Sequence, residues 1–285
     1  IESHIGEYGL AWFGNIVLFF GGVFLHKLIL SMGESLWAAV MGYAFVLAMV
    51  LFAKSIRNSF TYLASIFDLF AKFMLFYVTL SLHFFSLSPL IENLYIGIGL
   101  LVLIISYQVF QSLKLKSQKH TYIALFFLLI TAVLSNETHI ILPILTIATA
   151  GSVFLMFRFG WSKILLLTLN LIYFTFLMWV MGNPLVNSGL KIISSSQFSE
   201  YYLLIIAALY STVFLIKKNG KFPTASVFSV LILNGMGFSF LLILLTLQFF
   251  QGSYQFLFAS LSVFCILYSL VLKKYSDWKY APALY

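Results

Sequence analysis

Residues 35–57 read SLWAAVMGYAFVLAMVLFAKSIR, and this stretch decides the fold. From Ser35 to Ala53 there is no charge; Lys54 and Arg57 then follow at once. A helix needs about 20 mostly apolar residues to cross about 30 Å of hydrocarbon. The segment meets that length and stops at a basic turn, the pattern that anchors a span on the cytoplasmic side.

The same grammar repeats along the chain. Ten apolar segments are read as spans: Tyr8–Leu30, Ser35–Ala53, Phe60–Phe84, Leu90–Leu113, Tyr122–Ser135, Ile140–Phe159, Trp161–Met181, Tyr201–Ile216, Ala225–Phe250 and Tyr254–Leu272. The fifth and eighth are short. Of the 285 residues 62% are hydrophobic and 8% charged, and the mean hydropathy is +1.05. Soluble domains carry about 25% charged residues. A soluble chain of this length could not hide so much apolar surface. The expected fold is an all-α polytopic bundle of about ten spans, one transmembrane domain over residues 1–285. The chain opens on Ile1, without a basic leader and cleavage site, and is expected to be a fragment of a longer one.

Charge sets the expected orientation. One set of alternate loops holds Lys54, Arg57, Lys114, Lys116, Lys119, Arg158, Lys163, Lys217, Lys218, Lys221, Lys273, Lys274 and Lys279. The other holds Lys27 and Lys191, so the asymmetry is 13 against 2. The positive-inside rule puts the first set, and with it both termini, on the cytoplasmic side. Trp12, Trp37, Trp161 and Trp179 fall near span ends, where amphipathic rings favour the headgroup layer. The net charge of +8 is thus a topology signal. No nucleic-acid partner is expected; the expected surroundings are the lipid bilayer and other membrane or envelope proteins.

The third span carries a polar stripe. Ser65, Asp68, Lys72, Thr79 and His83 stand at offsets that fall within roughly 60° on a helical wheel. Asp68 and Lys72 form an i,i+4 pair with the acid first, the better order. Lys72 lies roughly 18 Å along the helix from Phe60, near mid-membrane. Intramembrane charges cost at least a few kcal/mol and face the bundle interior or water. The stripe is therefore either a proton or substrate path with His83 at its outer mouth, or a self-neutralised pair packed on another helix. The second reading needs no substrate and is the simpler.

A second candidate is acidic. Glu34, Glu92 and Glu137, with His139, fall in or beside the outer loops, as does Glu200. Paired carboxylates can divide general acid and base roles when neighbours split their pKa values, but the sequence does not bring these together, and solvated loop acids are the plainer reading. Asn15, Asn170 and Asn234 lie in or near spans and are expected to bond to neighbouring helices, each worth about 0.6–2 kcal/mol. Glycine pairs Gly21–Gly22, Gly97/Gly99 and Gly235/Gly237 permit close helix approach. Cys265 is the sole cysteine, so neither an internal disulfide nor a thiol metal site can form. No phosphate loop, HExxH or GxSxG is present. No catalytic residue, metal or cofactor is expected.

The runs IGEYGLAWFGNIVLFFGGVFLHKLI (5–29), RFGWSKILLLTLNLIYFTFLMW (158–179), EYYLLIIAALYSTVFLIKKNGKF (200–222) and LILNGMGF (231–238) resemble a bacterial family of many-span membrane proteins of unknown function. Gly9, Trp12, Gly14, Gly21, Gly22 and Lys27 carry the first match. Members usually begin with a coiled coil. Its absence, and the low span count, fit a fragment. The resemblance implies a bacterial inner-membrane location and no known active site. In length, span number and inward termini the chain is also similar to ten-span drug and metabolite transporters, though it lacks their Pro/Arg features and a visible repeat. Three functions are weighed: a non-catalytic membrane subunit or scaffold of a cell-envelope assembly, which leads; a transporter or flippase using the stripe; and a membrane enzyme acting on a lipid-linked substrate through the outer acids.

Overall fold

Nine of the ten apolar runs hold an α-helix of at least 18 residues, and the eighth a shorter one. The computed structural model describes residues 2–85, 88–184, 187, 193, 198–215, 224–249, 252 and 254–275. The helices are α1 (Glu2–Ser31), α2 (Ser35–Ile56), α3 (Thr61–Ser81), α4 (Leu94–Leu115), α5 (Gln118–Ser135), α6 (Thr138–Phe159), α7 (Ser162–Val180), α8 (Ser199–Ser211), α9 (Thr224–Phe249) and α10 (Tyr254–Tyr275). Among the described residues there is no strand. Lys191, Lys217, Lys218, Lys221 and Lys279, and Ser188, Gly189 and Ser194–Ser196 of the long outer loop, lie outside the described residues.

Among the described residues eight helices are long and apolar enough to cross a membrane. The fifth, short in the sequence reading, gains a turn: α5 begins at Gln118 and reaches 18 residues. The eighth does not. Its α-helical part has 13 residues, followed by a 3-10 turn over Thr212–Leu215. At 1.5 Å per residue α8 covers about 20 Å, short of the hydrocarbon thickness.

Helix ends follow local chemistry. Gly160 takes a left-handed conformation (φ 74°) and its N–H reaches back to the Met156 carbonyl at 2.9 Å, closing α6. Asn136 does the same for α5 at φ 51°, a conformation that Asn tolerates better than most residues.

The chain divides into two compact units, residues 1–107 and 108–285. In the first, α1, α2 and α3 pack on one another. Val46, Met74 and Val78 form one cluster with Phe19 and Phe45, and Met49, Ile66, Phe70 and Ala71 another. Gly42 is needed here: a Cβ on it would sit 2.7 Å from Val78 and 2.9 Å from the His26 ring.

In the second unit α5–α9 pack around Leu142, Leu145, Ile164, Leu165, Phe176, Leu203, Ile206 and Tyr210. A polar knot fastens them. Tyr173 of α7 donates its hydroxyl to Asn234 Oδ1 of α9 at 2.6 Å. Asn234 Nδ2 donates to the Ala207 carbonyl and Ser211 Oγ of α8, at 3.1 and 3.3 Å. Tyr268 of α10 donates to the Ser211 carbonyl at 2.6 Å. Gly237 lets the Tyr173 ring lie on α9, where a Cβ would be 2.7 Å away. The helix-bridging role expected of the asparagines therefore holds for Asn234. It fails for the other two, whose Nδ2 groups donate to their own helices, Asn15 to Ala11 and Asn170 to Leu166, each about 3 Å away. Asn170 is exposed.

A second knot lies at the α5–α6 turn. Asn183, just past α7, donates to the Val133 carbonyl at 2.7 Å and to Asn136 Oδ1 at 2.9 Å. Trp179 Nε1 donates to Thr138 Oγ1 at 3.0 Å. Interhelical hydrogen bonds in bilayers contribute about 0.6 kcal/mol on average and up to about 1.7. Tyr173→Phe and Asn234→Val should therefore be non-additive by about 1 kcal/mol in a double-mutant cycle of detergent unfolding. Strictly additive losses would remove this bond from the account.

Candidate functional site

The stripe of the third span is built around Asp68 and Lys72. The i,i+4 spacing lets Lys72 Nζ fold back one turn and meet Asp68 Oδ2 at 2.6 Å. The Lys72 side chain is 14% exposed and that of Asp68 47%. The ammonium is thus held among the helices while the carboxylate stands at the unit's edge.

The other three stripe residues do not continue a path. Ser65 is exposed and donates to the Tyr62 carbonyl of its own helix at 2.7 Å. Thr79 is buried. It donates its only hydroxyl proton to the Leu75 carbonyl at 2.9 Å, so it accepts from the Tyr43 hydroxyl of α2 at 3.0 Å. His83 is no longer on the helix, because α3 ends at Ser81 rather than Phe84. Past Ser81 the chain turns, and the Ile91 N–H donates back to the Leu82 carbonyl at 3.1 Å. His83 Nδ1 lies 2.8 Å from the Ile91 carbonyl, which can only accept, so Nδ1 carries the proton. Gly97 lies beneath it; a Cβ there would come within 2.8 Å of His83 Cβ.

The outer acids fall in both units. Glu34 and Glu137 occupy the residue before α2 and α6, make no side-chain cap, and are exposed. Glu92 and His139 are exposed as well. Glu34 and Glu92 belong to the first unit; Glu137 and His139 belong to the second. Glu200, in the first turn of α8, also falls in the second. Among the described residues no group of three His, Cys, Asp or Glu could hold a metal ion.

A buried imidazole that the sequence did not flag lies on α1. His26 is 3% exposed. Its Nε2 is 3.3 Å from Ser81 Oγ of α3, and Ser81 Oγ lies 2.7 Å from the Val78 carbonyl. A serine hydroxyl has one proton, and that carbonyl can only accept. Ser81 therefore donates to Val78, and His26 Nε2–H donates to Ser81. Nδ1 is buried and has no hydrogen-bond partner. The Tyr77 ring meets His26 edge-on, centroids 5.3 Å apart. Nothing in the local sequence signals this arrangement, since the partners of His26 lie on α3 about 50 residues away.

No family model matches the chain, and neither a curated protein nor a solved structure matches it.

The paired charges make a testable case. Asp68→Asn strands the Lys72 ammonium among apolar side chains. The expected loss is about 2–3 kcal/mol, the insertion-scale cost of an unpaired ammonium in hydrocarbon. Asp68→Asn combined with Lys72→Met should recover most of that loss in a thermal unfolding series in detergent. A double variant less stable than the single would show that the pair is not self-contained.

Proposed function

We propose that the chain, whose apolar helices fit an integral multi-pass membrane protein, is a non-catalytic membrane subunit, a scaffold in a cell-envelope assembly. The observation that carries this reading is the Asp68–Lys72 pair. It is closed on itself, yet it leaves Asp68 47% exposed on a helix that spans hydrocarbon. A carboxylate in that position needs cover, and a helix of a partner chain supplies it. The apolar flanks of α1 and α2 are exposed as well, as in Phe13, Phe24, Leu36, Leu47 and Leu51.

Transport along α3 is less well supported. A conducting path needs polar groups free to exchange partners with a moving substrate. Ser65, Asp68, Lys72, Thr79 and His83 each hold a partner within the first unit. Chemistry at the outer acids is supported least, because Glu34, Glu92, Glu137 and His139 are exposed. We place the protein in the bacterial inner membrane with both termini cytoplasmic, on the family resemblance and the 13-to-2 loop asymmetry.

Extraction in native-lipid polymer discs tests the scaffold. The chain should run with a second polypeptide in fixed stoichiometry. Asp68→Asn with Lys72→Met, still folded, should lose that polypeptide. A chain that elutes alone, with its mass fitting one copy, would end this reading.

A further inference from the structure

Within the second unit the helix ends sort charge. Lys116 and Ser117 join α4 to α5, and Gly160 and Trp161 join α6 to α7. The helix α5 packs on both α6 and α7. Bonds from Trp179 to Thr138 and from Asn183 to Val133 tie the far ends of these three helices together. The α4–α5 and α6–α7 turns therefore share the opposite end. Lys114, Lys116, Lys119, Arg158 and Lys163 all stand there, and all are exposed. None of them has an ion-pair partner among the described residues. The acid beside these helices is Glu137, which precedes α6 and so lies about 33 Å away along it. Charges at physiological salt are screened over about 8 Å, so that carboxylate leaves the cations uncompensated.

The same turns expose apolar surface. Leu115 stands between Lys114 and Lys116, and Phe157 precedes Arg158. Phe154 lies one turn before Arg158 on the same face of α6. All three apolar side chains are exposed. The frame beneath is firm: Trp161 is buried and stacks on Phe159, ring centroids 4.7 Å apart. Arg158 and Lys163 are thus held on either side of a fixed turn.

Three kinds of occupant differ in what they use. A soluble anion meets the cations and leaves the phenyl rings in water. A zwitterionic lipid covers the rings but brings a cation with each phosphate. A lipid with a net negative headgroup uses both, its phosphate against Lys and Arg and its chains along Phe154 and Phe157. Basic groups beside a membrane helix attract such headgroups. We infer that this end of the second unit is a binding surface for anionic phospholipid. Such a surface needs a bilayer around the helices but no partner chain.

The test uses the full chain in phosphatidylcholine nanodiscs. Two probes, phosphatidylglycerol and phosphatidylcholine with the same diazirine at the same acyl position, are compared at equal content. Each cation near an anionic headgroup is worth about fivefold in affinity. Light should therefore attach the phosphatidylglycerol probe to the peptide holding Phe154 and Phe157 about 25-fold in preference, the product for Arg158 and Lys163. The peptide holding Leu36 and Trp37, beside Glu34, should take both probes alike. Arg158→Gln with Lys163→Gln should bring the preference near parity. If that variant does not elute as folded protein, the wild-type ratio decides alone. Soluble glycerol 3-phosphate should leave the ratio unchanged. Parity between the probes in the wild type, an equal preference at Leu36 and Trp37, a preference untouched in the folded variant, or its loss to glycerol 3-phosphate would overturn the proposal.

Discussion

A hydroxyl or amide placed in hydrocarbon has no water to bond to, so its partner must come from the protein. The rest of the structure follows from that constraint. The hydroxyls of Thr131, Thr149, Thr168, Thr175 and Thr246 each donate to the carbonyl four residues back, at 2.7–2.8 Å. Such bonds satisfy a side chain without a neighbour and let it sit anywhere on a buried face. Amides cannot be satisfied so cheaply, having two donors and an acceptor. Where an amide is deep, helices gather round it, as α7 and α8 do round Asn234.

The charged pair on α3 obeys the same rule by other means. A lysine one turn beyond an aspartate on the same helix is neutralised before any second helix arrives. The first unit can then be built from apolar packing and close backbone approach at Gly42. His26 departs from the rule: the Ser81 contact uses one ring nitrogen and leaves the other buried without a partner, as Asn15 Oδ1 is on the same helix.

Much of this was legible in the amino-acid order. Apolar runs located the helices, and for the eight that are long and apolar enough to cross a membrane among the described residues, hydrocarbon thickness sets the run length. The Asp68–Lys72 contact was legible too, since i,i+4 spacing fixes its geometry on any helix. Ends were harder. His83 counted as helical because the apolar run continues past Ser81, whereas the chain turns there and bonds His83 to Ile91. The eighth helix stopped early for the converse reason: the apolar run continues through Thr212–Leu215 while the backbone tightens to 3-10. Contacts between helices were the least legible. Asn15, Asn170 and Asn234 look alike in sequence, and only the last meets a neighbour. His26 and Tyr43 have no signature at all, because the groups that give them meaning, Ser81 and Thr79, lie on another helix.

All of this requires that the apolar surfaces be covered by hydrocarbon. Leu47 is the direct probe. It lies about 18 Å into α2 and is 58% exposed. With Cys265 replaced by Ala, Leu47→Cys in a sealed bilayer should resist a water-soluble maleimide and react once detergent denatures the chain, while Arg57→Cys reacts readily from the water on its side of the bilayer. Modification of Leu47→Cys in the intact bilayer at the rate of Arg57→Cys would mean that water, not lipid, surrounds these helices.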